Sequence, residues 1–179
     1  MKKIIVLILC SGTLAITNGQ IGKSDWMIGG TFRLNTSDNN TEIAFNPTAG
    51  YFVIDDLALG GNVNMGYSKN GSEKTTVFGF GPFARFYFNG QHVRPILHTT
   101  LNFDTRKTKI GNVSTNNNGI NYFLGGGAAL FISQQVSIDA LAGYYHSKLK
   151  GFDGSGGFVF SIGFQVYLFK KQVEDLQGK

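Results

Sequence analysis

Apolar and polar side chains alternate in eight successive segments of this 179-residue chain. In the last segment, every second residue from Phe158 to Leu168 is apolar, whereas Ser161 and Gln165 lie between them. Successive side chains of a β-strand point to opposite faces, so each segment is predicted to be a strand with one apolar face. The 3.6-residue period of an amphipathic helix is missing. The chain is therefore predicted to be all-β.

The apolar face of these segments carries no charge. In the fifth segment Val93, Leu97 and Phe103 fall on the apolar face, and Arg94 and His98 fall on the other. Segments of about ten alternating residues, separated by turn-forming residues, are typical of transmembrane barrels, where an outward Lys or Arg at the membrane centre costs about 2 to 4 kcal/mol. We expect an eight-stranded antiparallel up-and-down transmembrane β-barrel.

A soluble lipocalin-like barrel or a β-sandwich is the main alternative, because its strands also alternate. Such a fold turns its apolar face inward and carries Lys and Glu outside. Here the non-apolar faces are mostly Gly, Asn, Ser and Thr, and charged residues make up 15% of the chain, against about 25% in ordinary soluble domains. The composition favours the membrane barrel.

Residues 1–20 have the pattern of a secretory signal peptide: two lysines, the apolar run from Ile4 to Leu9, and small residues up to Gly19. The run is too short for a membrane-spanning helix, which needs about 20 apolar residues. The one cysteine, Cys10, lies inside this segment, so the mature chain is expected to form no disulfide. Lipidation of Cys10 is a weaker alternative, because Leu9 precedes it where lipoproteins have a small residue.

The connections between segments alternate in length. The short ones are Asp55-Asp56, Asn89 to His92 and Ser133 to Gln135, and the longer ones are Ser37 to Asn40, Lys69 to Lys74, Lys107 to Asn117 and Gly151 to Gly156. Bacterial barrels pair short periplasmic turns with longer outer loops. We therefore expect a barrel over residues 21–169, a short periplasmic tail over 170–179, and both termini in the periplasm.

Three prolines fall inside predicted strands. Pro47, Pro82 and Pro95 lack the N–H that a strand ladder needs, so bulges or local gaps are expected at each of them.

The net charge excludes one class of partner. Removing residues 1–20 takes away two of the 16 basic residues and none of the 11 acidic ones, which leaves a charge of +3. This balance is too mild to indicate binding of nucleic acid.

Three stretches resemble a known family: Phe45 to Val53 continuing into Leu57 to Gly60, Gly81 to Phe88, and the aromatic last strand. Over about residues 21–169 the chain is similar to the OmpA- and OmpX-like eight-stranded outer-membrane barrel proteins, in the form common among Bacteroidetes. The resemblance implies the cell outer membrane of a Gram-negative bacterium, contact with outer-membrane lipid and lipopolysaccharide, and handling by the barrel-assembly machinery.

The charged residues on the inward face are the candidate site. They are Arg33, Glu42, Arg85, Arg94, His98, Asp104, Arg106 and Asp139. Side chains fill the lumen of an eight-stranded barrel, so these groups are expected to pair or to meet trapped water, as a polar plug. The alternative is a narrow pore in which Arg85 and Arg94 favour anions.

Neither a catalytic group nor a cofactor or metal site is indicated. His146 and Ser147 are neighbours on one strand and point to opposite faces, so they cannot act together as base and nucleophile. We expect no enzyme activity, and a structural or adhesion-like surface role in which the Lys107 to Asn117 connection contacts a ligand. A small-solute pore is the alternative, and a lipid-modifying enzyme ranks third.

Overall fold

The computed structural model describes residues 21–37 and 40–170, which form one closed barrel of eight antiparallel strands in chain order. The strands are β1 (Trp26–Ser37), β2 (Asn40–Ile54), β3 (Leu57–Asn70), β4 (Glu73–Tyr87), β5 (Val93–Ile110), β6 (Val113–Ser133), β7 (Val136–Leu149) and β8 (Ser155–Leu168). The predicted all-β up-and-down barrel is confirmed. The expected signal peptide and residues 171–179 of the expected tail lie outside the described residues.

The exterior of the barrel is a belt of apolar side chains. In β8 the outward residues Phe158, Phe160 and Ile162 are 85%, 79% and 66% exposed, whereas the inward Gln165 and Tyr167 are fully buried. A lipid environment requires an apolar exterior of this kind, together with backbone groups that are paired between strands. No helix in the described ranges is long and apolar enough to cross a membrane.

The two ends of the barrel differ. The turns after β2, β4 and β6 lie beside residues 21–25 at one end, here called the terminal end, and the four remaining connections lie at the other, the hairpin end. Ile21 is fully buried, and the Asp25 carboxylate accepts hydrogen bonds from the backbone N–H groups of Gly22 (2.8 Å) and Lys170 (2.9 Å). The segment before β1 therefore closes the terminal end.

The expected longer loops from Lys69 to Lys74 and from Lys107 to Asn117 are wrong, and so is the alternation of connection lengths. β3 ends at Asn70 and β4 starts at Glu73, which leaves a two-residue turn. β5 continues to Ile110 and β6 starts at Val113, so only Gly111 and Asn112 form the turn. Gly111 has a φ of 58°, which a two-residue hairpin turn with Gly in first place requires. The residues beside this turn pair across the ladder and extend the barrel as a hairpin.

The prolines produce gaps at two positions and no bulge. Pro47 has no paired residue on β3, and Pro82 has none on β5. Each proline is still paired in register with the strand on its other side. Pro95 is in register with Ala128 of β6, so the expectation of a bulge or gap there is wrong. It lies just beyond Tyr87, the last residue of β4, where the β4–β5 ladder ends.

One ladder is shorter than the rest. β1 and β8 pair from Trp26 with Leu168 up to Phe32 with Ile162, which makes seven pairs. Beyond that point β1 stays paired with β2 as far as Ser37, and β8 stays paired with β7 down to Ser155. The hairpin-end part of the β1–β8 boundary, which we call the seam, therefore has no backbone pairing.

Candidate functional site: the lumen of the barrel

The terminal half of the lumen holds a buried ion pair. Arg85 on β4 and Asp139 on β7 approach to 2.5 Å between Nη1 and Oδ2, and they are 1% and 0% exposed. Both side chains point inward by the alternation of their strands, so the pair reaches across the lumen. A buried charge pair is tolerated only where further hydrogen bonds satisfy both partners.

The guanidinium of Arg85 has two further neighbours. Its Nε donates to His98 Nδ1 at 3.3 Å, and its Nη1 donates to the hydroxyl of Tyr87 at 3.4 Å. These contacts fix the side chain on both sides, so Arg85 is held as a structural cation.

The Asp139 carboxylate is also satisfied. Ser137 Oγ donates to its second oxygen at 2.7 Å and lies 3.0 Å from the hydroxyl of Tyr167, which in turn lies 2.9 Å from that of Tyr87. Together, Arg85, Asp139, Ser137, Tyr87 and Tyr167 form a connected network that we call the plug. It fills the terminal half of the lumen.

An aromatic layer covers the plug on the hairpin side. His98 lies between Phe83 and Phe123, with ring centroids 5.6 and 6.0 Å away. The ring of Phe83 lies directly over Gly60, where a Cβ would come within 2.7 Å of the ring and still closer to the Ala49 carbonyl oxygen. A side chain at position 60 would thus displace this layer.

Arg94 lies at the terminal rim and contacts a different acid. Its Nη2 is 2.6 Å from Asp56, and its Nε donates to the Phe88 carbonyl at 3.0 Å. Phe88 N–H donates to the Pro95 carbonyl, and proline has no N–H to return the bond. Arg94 therefore donates to the Phe88 carbonyl the hydrogen bond that Pro95 cannot donate.

The hairpin half of the lumen is hollow. It contains a cavity of about 140 Å³, whose charged lining residues are Arg33, Glu42 and Arg106. In the part of the chain that the structure describes, the salt bridges are Arg85–Asp139 and Arg94–Asp56, so none of these three forms one. Asp104 is engaged by the amides of Asn64, at 3.1 Å, and of Asn121.

Unpartnered polar atoms concentrate around this cavity. Six buried side-chain nitrogen or oxygen atoms of the described residues lack a hydrogen-bond partner, and five belong to residues that line it. The five atoms are Arg33 Nε, Asn46 Oδ1, Asn62 Oδ1, Asn102 Oδ1 and Arg106 Nε. Buried polar groups are rarely left unpaired, so the cavity suits water or a polar ligand.

The eight residues singled out in the sequence all point into the lumen, but they separate into groups. Arg85, His98 and Asp139 meet at the plug, and Arg94 lies at the terminal rim. The remaining four are Arg33, Glu42, Asp104 and Arg106, which lie toward the hairpin end. Arg85 and Arg94, which an anion-selective pore needs as free charges, are each paired with a carboxylate.

His146 and Ser147, the neighbours considered for catalysis, have different surroundings. His146 packs against the rings of Tyr122 and Tyr144, at centroid distances of 5.2 and 6.5 Å, while the neighbouring Ser147 is buried. Within residues 21–37 and 40–170, no three His, Cys, Asp or Glu side chains group as metal ligands do.

Sequence reasoning missed several members of these clusters. The hydroxyls of Tyr87, Tyr167 and Ser137 complete the plug. The alternation of their strands places all three on the inward face, and this could have identified them. Asp56 lies in a short turn, and no sequence pattern connects it with Arg94.

The closed ring of eight antiparallel strands around a plugged lumen is the fold of small eight-stranded β-barrels such as those of solved outer-membrane proteins. The sequence itself matches no protein-family description and no curated protein.

Three solved structures are similar to the chain. The crystal structure of Neisserial surface protein A has a TM-score of 0.56 and 21% identity, and the match covers 79% of this chain and 94% of that one. The N-terminal β-barrel domain of Pseudomonas aeruginosa OprF has a TM-score of 0.58 and 14% identity, with 82% and 99% covered. Ail, the attachment invasion locus protein of Yersinia pestis, gives 0.50 and 16%, with 81% and 97% covered. At these identities the likeness establishes the fold alone.

Proposed function

We propose that this chain is a non-enzymatic integral protein of the outer membrane, with a lumen that does not conduct and with its hairpins presented at the cell surface. The observation that carries the proposal is the buried Arg85–Asp139 pair across the lumen. Ions need a continuous polar path, and the plug occupies the section of lumen where that path would run.

Conductance tests this proposal. Protein purified from membranes is inserted into a planar bilayer, and insertion is verified by protection from protease. Wild type and Arg94→Ala are both expected to be silent, because Arg94 serves the terminal rim and lines no path. Discrete current steps whose ion selectivity changes in Arg94→Ala would instead support a pore.

The exposed apolar belt and the hairpins support the location. Two of the similar structures are of proteins named for the surface and for attachment. In this proposal the terminal end faces the periplasm and the hairpin end, where the long β5–β6 hairpin extends the barrel, faces outward.

Thiol labelling of intact cells tests this orientation. In a Cys10→Ser background, Asn112→Cys at the β5–β6 turn is expected to react with a membrane-impermeant maleimide. Asp55→Cys, in the β2–β3 turn, is the matched control and should react only after the envelope is broken. The reverse pattern would place the hairpins in the periplasm.

A lysine cluster supports lipopolysaccharide as the lipid partner. Lys69 is in register with Lys74, and Lys74 with Lys109, on the outward face just beyond Tyr67. Like charges directly opposite one another destabilise a sheet, so lipid phosphates at this height would relieve their repulsion. Lipopolysaccharide should raise the urea midpoint of wild type more than that of Lys69→Gln/Lys74→Gln/Lys109→Gln. An equal rise would remove this partner assignment.

A further inference from the structure

The unpaired seam has an apolar groove in front of it. The groove has a volume of about 490 Å³ and is flanked on β1 by Phe32 and Leu34 and on β8 by Phe160 and Ile162. These four side chains are between 50% and 79% exposed. The floor beside them is made of small residues of β6 and β7, including Ala140, so the groove is apolar, as a hydrocarbon chain requires.

The groove and the lumen cavity meet at the seam. Arg33, Leu141 and Ser161 line both of them. Arg33 and Ser161 lie just beyond the last β1–β8 pair, Phe32 with Ile162. The barrel wall at this position therefore has polar lumen on one side and apolar groove on the other, without a backbone ladder between them.

In the described part of the chain, the junction holds a cation without a counter-ion. Arg33 forms no salt bridge among the described residues, its Nε lacks a hydrogen-bond partner, and its guanidinium stands 5.9 Å above the ring of Tyr145. Arg106 is the other cation on the cavity wall, and Glu42 is the acid there. Asp104, held by Asn64 and Asn121, faces Arg106. Arg33 is therefore the cation of this junction that has an unpaired donor and lies beside the groove.

Buried amide side chains line the cavity beside the charged residues. Asn62 and Asn102 are 6% and 3% exposed, line the cavity, and each has an amide oxygen without a partner. The volume of about 140 Å³ exceeds the ~10 to 15 Å³ needed for one water. It is large enough for a compact head group together with a few waters.

We propose that the seam admits a long-chain fatty acid from the surrounding leaflet, with its carboxylate beside Arg33 in the lumen cavity and its chain in the apolar groove. The proposal rests on the membrane location proposed above. The two parts of the site match the two parts of this ligand: a paired carboxylate in the cavity and a buried hydrocarbon in the groove.

Binding of a fluorescent C18 polyene fatty acid tests the proposal. Protein purified from membranes is reconstituted into phosphatidylcholine vesicles, and insertion is checked by protease protection. Wild type should bind saturably, and Arg33→Gln should bind at least tenfold more weakly. Lys107→Gln, which removes the same charge from the exposed outer face of β5, is the matched control and should bind as wild type does.

Two competitors identify which part of the ligand is recognised. Unlabelled oleate should displace the probe, whereas oleyl alcohol, which lacks the charge, and acetate, which lacks the chain, should not. If acetate displaced the probe, the site would be one for small soluble anions and the proposal would be wrong. Equal binding by Arg33→Gln, or no saturable binding in a verified inserted barrel, would overturn it while leaving the membrane proposal intact.

Closing the seam tests the route. Continuing the register past Phe32 and Ile162 brings Leu34 opposite Phe160, so Leu34→Cys/Phe160→Cys in a Cys10→Ser background should form a disulfide across it. The oxidised protein should bind the probe several-fold more slowly than the reduced one. Identical rates in both forms would exclude the seam as the route.

Discussion

The two halves of the lumen use the same strands and the same inward alternation, yet they are built differently. In the terminal half, Arg85 and Asp139 are fully buried, and each has several hydrogen-bond partners. In the hairpin half, Arg33 and Arg106 line an open cavity without salt bridges. The comparison predicts that the plug in the terminal half contributes most to stability and that the open cavity in the hairpin half is the place where a ligand would fit.

Removing one partner of the plug should give the largest effect. Asp139→Ala leaves the Arg85 guanidinium buried without its counter-ion, which is expected to cost about 3 to 5 kcal/mol of unfolding free energy. Urea unfolding in vesicles measures it. The double variant Arg85→Leu/Asp139→Leu is the control and should unfold within about 1 kcal/mol of wild type. A single variant as stable as wild type would show that the plug does not stabilise this half.

A smaller effect is expected at the boundary between the halves. Gly60→Ala places a Cβ against the Phe83 ring and the Ala49 carbonyl, and such overpacking typically costs about 1 to 3 kcal/mol. Its neighbour Gly61 points outward, and a Cβ added there would meet a single atom, the Gly81 carbonyl oxygen, at 3.9 Å. Gly61→Ala should therefore leave the urea midpoint unchanged or slightly raised. An equal loss of stability in both variants would mean that the aromatic layer moves aside without an energetic cost.

The smallest effect should come from the hollow half. Asn62→Leu removes an amide whose oxygen has no partner, so the free energy of unfolding should change by less than about 1 kcal/mol. Asn121→Leu is the contrasting variant: it removes a donor to the Asp104 carboxylate and should destabilise the barrel clearly in the same assay. If Asn62→Leu were as damaging as Asn121→Leu, the unpartnered amide of Asn62 would be contributing stability.

The fold was predictable because lipid imposes one rule on every strand. The outward residues must all be apolar, and a strand's two-residue period makes that rule visible in sequence, as from Phe158 to Leu168. The inward orientation of the charged residues follows from the same parity. For this reason the sequence alone places Arg85 and Asp139 in the lumen.

Pairing inside the lumen could not be predicted in the same way. Which inward charges meet depends on the stagger between strands that are far apart in sequence, as for Arg85 and Asp139, and parity carries no information about stagger. The stretch from Lys107 to Asn117 has the polar composition of a loop, whereas cross-strand pairing around a Gly-Asn turn makes it a hairpin. The seam could not be predicted either, because it depends on where the β1–β8 register ends.

The short β1–β8 ladder also has a kinetic consequence. The other seven ladders join strands that are neighbours in the chain, so each can form as a local hairpin, whereas Trp26 must find Leu168 from the opposite end of the barrel. Closing so long a loop carries an entropic cost before any contact is gained, and non-local pairing of this kind slows folding. With only seven pairs to offset that cost, ring closure is expected to be the slow step in assembly of this barrel, and substitutions along Trp26–Phe32 should change the folding rate more than those in the outer hairpins.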